Sequence, residues 1–486
     1  MILPNVSYCE DNNEVHYNPI VPPSRVITAV FNIPTTANPI SLTYENGWNN
    51  YESILVTRPN GTTFELSYSD LVQYDSISEY GDPFYGYQFD TVGNYTFEYT
   101  LKPNVDTIYG EFTSIPYITS VEIPNIVTTI ASNAFSGCTG LTSVTIPNSV
   151  TTIEDLAFGW CTNLTNINIP DSVTTISDAF LGCTSLPVEN NIRYADTYAV
   201  ETTDKTLSIY TIKQGTRFIS SSVFSNCTNL TTITIPSTVI SVDYGPFSKC
   251  NSLIGVTVDS NNSIYDSRNN CNAIIETSTN TLIGGCKNTV IPNTVTSIGD
   301  SAFSSCSGLT SITIPSSVTS IGDSAFSSCS GLTSITIPNS VTSISNNAFE
   351  KCSGLTSITI PSSVTSIGDN AFINCSGLTS VIIPDSVTNI GNSAFYHCEN
   401  ITSITIGSGV TSIGSSAFVC RADSVTITAT IPPTINGNFA YYITRIDGGS
   451  IYIRQVSVIY VPSESLSTYQ AASGWNSYTI QAIPTT

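Results

Sequence analysis

Charged residues are scarce in this sequence, and basic residues are the scarcest. Only 10% of the 486 residues are charged, and 14 Lys and Arg stand against 36 Asp and Glu, which gives a net charge of −22 at pH 7. A surface with this balance repels the phosphate backbone of nucleic acids, because their binding depends on basic side chains. We therefore expect no nucleic acid partner.

Residues that carry catalysis or bind metals are few or dispersed. His16 and His397 are the only histidines and lie far apart in the chain, so no Ser-His-Asp or Cys-His arrangement is available. The cysteines match no C-x-x-C metal pattern, and no Gly-rich phosphate loop occurs. The sequence predicts a protein that is not an enzyme and has no cofactor and no metal. A glycan-active enzyme with an accessory repeat region is a weaker alternative, which the lack of a carboxylate pair disfavours.

Long apolar runs are missing as well. No stretch approaches the roughly 20 apolar residues that a membrane helix needs, so membrane insertion is not expected. The first residues, MILPNVSYCED, lack the basic and apolar regions of a secretion signal. We therefore expect that the chain does not follow the usual secretion route.

What the sequence does contain is a repeat of 23 residues. From Leu309 it reads LTSITIPSSVTSIGDSAFSSCSG, and it starts again at Leu332, Leu355 and Leu378 with small changes. A fixed period of this length is typical of a solenoid, in which each unit buries its apolar face against its neighbours.

The spacing within one unit predicts the path of the chain. Leu309, Ile312 and Ile314 follow the L-x-x-L-x-L pattern of a leucine-rich repeat, so they should point inward from a short strand of a parallel sheet. Asp323 or Ser324 should cap a single helical turn after this strand. Phenylalanines at one shared position should stack into a buried spine, formed by Phe303, Phe326, Phe349, Phe372 and Phe395.

These patterns predict the domain organisation. The fold class is mainly β, with a leucine-rich repeat solenoid of parallel β-sheet and short helical turns at residues 117–431. Two insertions, near 187–205 and 261–286, favour hairpins that project from one edge of the coil. Residues 432–486 contain Trp475 and a short helix, which predicts a C-terminal cap over the last rung.

The N-terminal region has a different pattern. Residues 1–24 are rich in proline and acidic residues, which predicts an extended arm. Residues 25–116 alternate in the manner of strands, and the turn from Asp90 to Tyr95 resembles a tyrosine-buttressed corner. We therefore expect an immunoglobulin-like β-sandwich over residues 25–116.

Eleven of the 14 cysteines follow the phenylalanine spine, from Cys138 to Cys420. Stacked rungs would hold neighbouring Cβ vectors parallel, which is poor disulfide geometry. Buried free thiols that act as small apolar residues are therefore favoured over a disulfide or metal ladder. Cys271 and Cys286 bracket a hairpin and are the only pair for which a disulfide remains open.

Candidate ligand-binding residues lie off the regular repeats. The outward side chains are mostly the short Ser and Thr and carry almost no charge, whereas binding hot spots are rich in Trp, Tyr and Arg. The insertions contain Tyr and Arg. The candidate ligand-binding residues are therefore Arg193, Tyr194, Tyr198, Tyr265 and Arg268. The alternative is that these tyrosines only cover the edge of the solenoid.

The repeat unit closely resembles the BspA-like leucine-rich repeats. The segments YDSRNNCNAIIETSTNTLIGGCKNTVIP and IYVPSESLSTYQAASGWNSY resemble parts of that family too, so the resemblance covers roughly residues 117–484. It implies a right-handed solenoid and a role in adhesion or recognition at a surface, without catalysis.

The two ends depart from the family pattern, in which surface members carry a signal peptide and an anchoring tail. The departure favours a bacteriophage virion component (tail, fibre or head decoration) that is assembled in the host cytoplasm and docked through its N-terminal region. The expected partners are a host surface glycan or protein, other virion structural proteins, or both, with oligomer formation through the N-terminal region left open. The alternatives are a bacterial adhesin that is located at the cell surface or secreted by a non-classical route, and a purely structural virion decoration protein.

Overall fold

The computed structural model describes residues 25–36, 40–41, 47–77, 83–420, 422–437, 441–446, 450–456 and 458–484. The predicted N-terminal arm, residues 1–24, lies outside this described part. The chain consists of two compact units, Met1–Pro187 and Val188–Thr486.

The regular secondary structure of both units is almost entirely β, as the repeat pattern predicts. The strands of the first unit are β1 (Val26–Ile33), β2 (Ile40–Ser41), β3 (Tyr51–Thr57), β4 (Thr63–Leu66), β5 (Val72–Ile77), β6 (Pro83–Tyr87), β7 (Gly93–Leu101), β8 (Thr107–Ile108), β9 (Ile118–Glu122), β10 (Thr129–Ile130), β11 (Ser143–Thr145), β12 (Thr152–Ile153), β13 (Asn166–Asn168) and β14 (Thr175–Ile176). Its short 3-10 helices span Gly47–Asn50, Tyr68–Asp70 and Gly110–Phe112.

The second unit continues the same architecture. Its strands are β15 (Val188–Glu189), β16 (Ile192–Ala195), β17 (Tyr198–Thr202), β18 (Phe218–Ile219), β19 (Thr232–Ile235), β20 (Ser241–Val242), β21 (Gly255–Val258), β22 (Tyr265–Asp266), β23 (Ala273–Glu276), β24 (Thr281–Gly285), β25 (Ser297–Ile298), β26 (Ser320–Ile321), β27 (Ser343–Ile344), β28 (Ser366–Ile367), β29 (Ser380–Ile383), β30 (Asn389–Ile390), β31 (Ser403–Ile406), β32 (Ser412–Ile413), β33 (Ser424–Ile427), β34 (Thr434–Ile435), β35 (Tyr441–Ile446), β36 (Ser450–Gln455), β37 (Val458–Val461) and β38 (Ile480–Ala482). Its helical segments are α1 (Leu466–Ala471) and the 3-10 helices Arg268–Asn270, Ser463–Ser465 and Trp475–Ser477.

The N-terminal strands form two antiparallel sheets, one containing β1, β7, β3 and β4 and the other β2, β6 and β5. The sheets pack through aromatic side chains, with the Phe64 and Tyr87 ring centroids 5.6 Å apart. The Tyr95 hydroxyl lies 3.0 Å from the Thr91 carbonyl oxygen, so this tyrosine buttresses the turn before β7 as the sequence predicts.

The boundary between these strands and the solenoid differs from the prediction. β9 pairs antiparallel with β1, and β11 and β13 follow in parallel, so one sheet runs in the order β13-β11-β9-β1-β7-β3-β4. β8 already pairs with β10, and Phe112 already stacks on Phe135, so the first rung begins near residue 106 rather than 117. The shared sheet has a physical reason, because pairing β1 with β9 satisfies backbone groups that a separate sandwich would leave at an open edge.

Each regular rung contributes to two parallel sheets, although in three rungs the first sheet is reduced to single bridges, which join Thr313 to Thr336 and Thr336 to Thr359. The long-strand sheet contains pairs such as β29 and β31, in which Ile383 lies opposite Ile406. The short-strand sheet contains pairs such as β25 and β26, in which Ile298 lies opposite Ile321. Identical repeat positions are therefore neighbours, which is what a parallel sheet built from a fixed period requires.

Residues 322–328 and their equivalents in other rungs form the turn strip, which joins the short strand to the cysteine. The predicted helical turn at this place is wrong, because Ser324 and Ser328 have left-handed φ angles of 57° and 61°. Alternate N–H groups of the strip donate to carbonyls of the next rung, as Phe326 donates to Ala348 at 2.9 Å. A helix would have bound these amides within its own rung.

The predicted phenylalanine spine is confirmed. In the second unit, neighbouring rings have centroids 5.0 to 5.5 Å apart and interplanar angles of 1 to 8°. The first unit holds a similar stack with spacings of 5.1 to 5.3 Å. The members are Phe303, Phe326, Phe349, Phe372, Phe395 and Phe418 in the second unit and Phe112, Phe135, Phe158 and Phe180 in the first.

The cysteines beside the spine have a specific hydrogen-bonding role. The Cys329 thiol donates to the Phe303 carbonyl oxygen at 3.0 Å, and Cys352 and Cys375 repeat the contact with the phenylalanine one rung before. All 13 described cysteines are free and buried, in agreement with the prediction of free thiols for the 11 that follow the spine. Burial is the largest cause of the raised pKa of Cys138, Cys250 and Cys420, and it raises that of Cys420 to about 11.

We predict that the native thiols react very slowly. A Cys9→Ser variant leaves only the 13 described cysteines, and burial and the raised pKa both suppress formation of the reactive thiolate. Without denaturant, a chromogenic disulfide reagent should label the folded variant only as fast as the protein unfolds. In denaturant, the same reagent should label all its thiols at once. Rapid labelling of the native protein, or a Cys329–Cys352 disulfide found by mass spectrometry, would contradict this prediction.

Both insertions are built into the coil, and the prediction that they project from its edge is wrong. β15, β16 and β17 form an antiparallel meander, and β17 then pairs in parallel with β18. β22, β23 and β24 form a second antiparallel meander, and β24 then pairs in parallel with β25. The insertions therefore extend the short-strand sheet instead of leaving it.

The second insertion forms a wall between two core clusters of the second unit. Ala273 and Ile275 lie in the cluster that continues to the C-terminal end, while Ile274 between them lies in the other cluster. Both faces of this hairpin are therefore buried, because successive side chains of a strand point to opposite faces. Cys271 and Cys286 belong to different clusters and are both free, so the open disulfide question is answered for this structure.

The C-terminal segment closes the core of the second unit. Trp475 is fully buried, and its indole N–H donates to the Pro433 carbonyl oxygen at 2.9 Å. Tyr469 packs edge-on against it at 5.1 Å and donates to the Ala429 carbonyl oxygen. This segment thus covers apolar side chains that the last rung would otherwise expose.

Candidate recognition surface

The first insertion places its three predicted ligand-binding residues mostly in the core. Tyr194 and Tyr198 are buried, and the Tyr194 hydroxyl accepts a hydrogen bond from the Lys213 N–H at 3.1 Å. The Arg193 guanidinium binds the Glu201 carboxylate across the hairpin at 3.1 Å.

The second insertion shows the same behaviour. Tyr265 is buried, and its hydroxyl accepts a hydrogen bond from the Val242 N–H at 3.3 Å. The Arg268 guanidinium binds the Asp266 carboxylate at 2.7 Å and the Asn280 side-chain oxygen at 2.8 Å.

All three tyrosines are therefore buried and do not contact solvent as ligand-binding side chains would. The physical reason is that each insertion joins a sheet wall, so alternate side chains of its strands point into a core. Tyr194 and Tyr265 line the same core cluster, yet none of the three rings offers a face to a ligand. Arg193 and Arg268 remain partly accessible, and a role for them in ligand binding stays a prediction.

The outer side of the long-strand sheet carries what we call the hydroxyl face. It consists of the three outward positions of each regular rung, represented by Thr310, Ser311 and Thr313, and it continues to Ser403 and Thr405. These fifteen positions contain no charged residue, and Ile382 is the one apolar residue among them. The Thr333 hydroxyl donates to the Thr310 carbonyl oxygen at 3.4 Å, so part of the hydroxyl array binds the backbone of the preceding rung.

The aspartates that recur on the turn strip have structural partners. Asp300 accepts a hydrogen bond from the Asp323 N–H at 2.8 Å, and Asp323 accepts one from Asn346 in the same way. In the described ranges, no group of three His, Cys, Asp or Glu side chains is placed to hold a metal ion. No helix there is long and apolar enough to cross a membrane.

Exposed aromatic residues on the turn strip were missed by the sequence reasoning. Trp160 is 47% exposed and Tyr109 is 54% exposed in the first unit, and Tyr244 is 66% exposed in the second. Aligning the rungs would have found Trp160, because its position is glycine or a polar residue in the rungs on either side and in the regular repeats. The strip thus carries the residue types that hot spots favour, at places where the repeat does not require them.

The comparisons with known proteins identify the repeats. A family model described as the BspA type leucine rich repeat region, in six copies, matches residues 106–209, 157–275, 281–381 and 342–461. Together these matches cover well over half of the chain. The chain belongs to the BspA-type leucine-rich repeat family. No curated protein matches it.

Solved structures similar to this BspA-type chain come from several bacteria. A leucine-rich cell surface protein from Faecalibacterium prausnitzii is 28% identical, over 76% of this chain and 95% of that one, with a TM-score of 0.41. A leucine-rich repeat protein from Bacteroides ovatus is 23% identical, over 87% and 100%, with a TM-score of 0.37. The pneumococcal vaccine antigen PcpA is 20% identical, over 74% and 85%, with a TM-score of 0.40.

The family match of the BspA-type chain begins at residue 106, which agrees with the first rung of the structure. It leaves out the strands from β1 to β7. Their assignment as an immunoglobulin-like sandwich therefore stays a prediction.

Proposed function

We propose that this protein is a non-enzymatic recognition module that acts in adhesion at a bacterial surface. The observation that carries the proposal is the match to BspA-type repeats over residues 106–275 and 281–461, since repeat proteins of this kind use an extended solenoid surface to hold partners. The similar protein from Faecalibacterium prausnitzii is a cell surface protein, which supports this location.

The charge of the chain limits the classes of partner that it can bind. A net charge of −22 opposes binding to nucleic acid and to other strongly acidic surfaces. The proposed partners are a surface protein or a glycan on a neighbouring cell. The virion association expected from the sequence has no support among these relatives. We therefore propose the surface adhesin instead of a virion component.

The test uses the full chain with a fluorescent label on intact cells. Saturable binding to bacterial or epithelial cells, displaced by excess unlabelled chain, is the expected result, and heat-unfolded chain is the control. An antibody against the chain should label intact cells of the source bacterium. Absence of saturable binding to every cell type would overturn the proposal, as would labelling confined to purified phage particles.

A further inference from the structure

Trp160 occupies a backbone conformation that its side chain does not favour. Its φ angle is 55°, in the left-handed region where a bulky residue is a genuine outlier. The rungs on either side carry Gly137 and Gly182 at the same place, with φ angles of 73° and 79°. The regular rungs adopt the same conformation with polar residues, as at Ser328 with a φ angle of 61°, so the fold imposes this backbone position on the tryptophan.

The neighbouring rungs leave room for the indole ring. A Cβ atom built on Gly182 would lie only 2.6 Å from Trp160 Cδ1, so the five-membered part of the indole rests against the Gly182 backbone. The ring is nevertheless 47% exposed. Glycine at 182 thus permits a flat aromatic surface that is supported from below and open to solvent.

A second exposed ring lies on the same strip. Tyr109 begins the turn strip of the first rung and Trp160 ends that of the third, so they are about 10 Å apart along the stack. The strip surface between them carries the polar residues Ser132 and Asp155 and the partly exposed apolar residue Leu156. The Asp155 pKa is raised by partial burial and by the charge of nearby Asp178.

The arrangement favours a glycan over a protein as the ligand. Protein hot spots cluster in a continuous patch that loses its water on binding, whereas the surface between these two rings is mostly polar. Sugar rings have apolar faces that stack on aromatic side chains and hydroxyls that donate hydrogen bonds to carboxylates. The acidic charge of the strip and of the whole chain repels anionic sugars, so the matching glycan is neutral.

We infer that the turn strip of the first unit, from Tyr109 to Trp160, binds a neutral glycan whose sugar rings stack on these two side chains, with the Asp155 carboxylate accepting ligand hydroxyl hydrogen bonds. This inference rests on the proposed function in surface recognition and supplies a ligand class for it. It places the contact on the narrow turn side of the coil and not on the hydroxyl face.

The test is affinity electrophoresis of the full chain in gels that contain mannan, laminarin or desialylated mucin. At least one of these neutral glycans should retard the chain. Trp160→Gly should weaken the retardation about 10-fold or more, as expected for loss of an aromatic hot spot, and Tyr109→Ser should weaken it less. Tyr244→Ser removes an exposed ring from the second unit and should leave the retardation unchanged.

Stability separates a binding effect from a folding effect. Because glycine suits a positive φ angle, Trp160→Gly should melt at the same temperature as the parent or higher. No retardation by any of the three glycans, or equal retardation of parent and Trp160→Gly, would overturn the inference. If labelled Trp160→Gly still binds intact cells as the parent does, the glycan site is contradicted and the proposed function is retained. The same conclusion follows if the strip binds a basic protein instead of a glycan.

Discussion

The Phe326→Ala substitution is expected to lower the free energy of unfolding by about 3–5 kcal/mol, the usual cost of deleting a buried ring. Phe326 is completely buried and stacks between two neighbours, 5.1 Å from Phe303 and 5.5 Å from Phe349. Its removal leaves a cavity that neither neighbour can fill, because each is held in its own rung by hydrogen bonds to the rungs around it. Denaturant unfolding of parent and variant measures the loss.

The damage should stay close to the substituted rung. Each rung contacts only its neighbours, and the wall formed by β23 and β24 separates this core cluster from the other one. Hydrogen exchange should therefore rise in the rungs next to Phe326 and remain unchanged on the far side of the wall. Thr313→Ala on the hydroxyl face is the matched control. A variant that melts like the parent, or exchange that rises evenly over the second unit, would contradict this prediction.

The Trp475→Ala substitution should cost a similar amount, about 3–5 kcal/mol, but the loss should spread differently. Trp475 is buried, is fixed by its hydrogen bond to Pro433, and supports Tyr469. Without the indole, the last rung loses its cover, and unfolding can start from that end. We expect faster hydrogen exchange in β37 and β38 first and then in the rungs before them.

A tryptophan of the same chain provides the control for this second prediction. Trp160→Gly also removes an indole, but from an exposed and strained position, and should not destabilise the protein. If Trp475→Ala loses no more stability than Trp160→Gly, or if exchange rises far from the C-terminal end while β37 and β38 stay protected, the capping role is contradicted.

The period of the sequence was sufficient to predict the parts of the fold that depend on repetition. Phe326 and its equivalents had to align once the units stacked in register, and the same holds for the inward Ile298 and Ile321. The turn strip was not predictable in this way. Asp323 and Ser324 look like a helix cap in one unit, and only the hydrogen bonds to the following rung, which one unit does not contain, select the left-handed conformation.

The candidate site was less predictable than the fold. Tyr194 and Tyr265 are hot-spot residue types in irregular segments, and composition alone does not reveal whether a hairpin projects or joins a sheet. Trp160 was detectable, since a bulky residue replaces glycine in its column, but that signal appears only when the irregular early rungs are aligned one by one.

The ladder of amides along the turn strip has a consequence for how this protein can change its length. Each of the near-identical units that begin at Leu309, Leu332, Leu355 and Leu378 offers donors to the unit after it and acceptors to the unit before it. A unit copied or lost by recombination within the coding sequence would meet matching groups on both sides. The length of the repeat stack can therefore change in steps of about 4.8 Å, while the segment that covers its C-terminal end keeps the same structure.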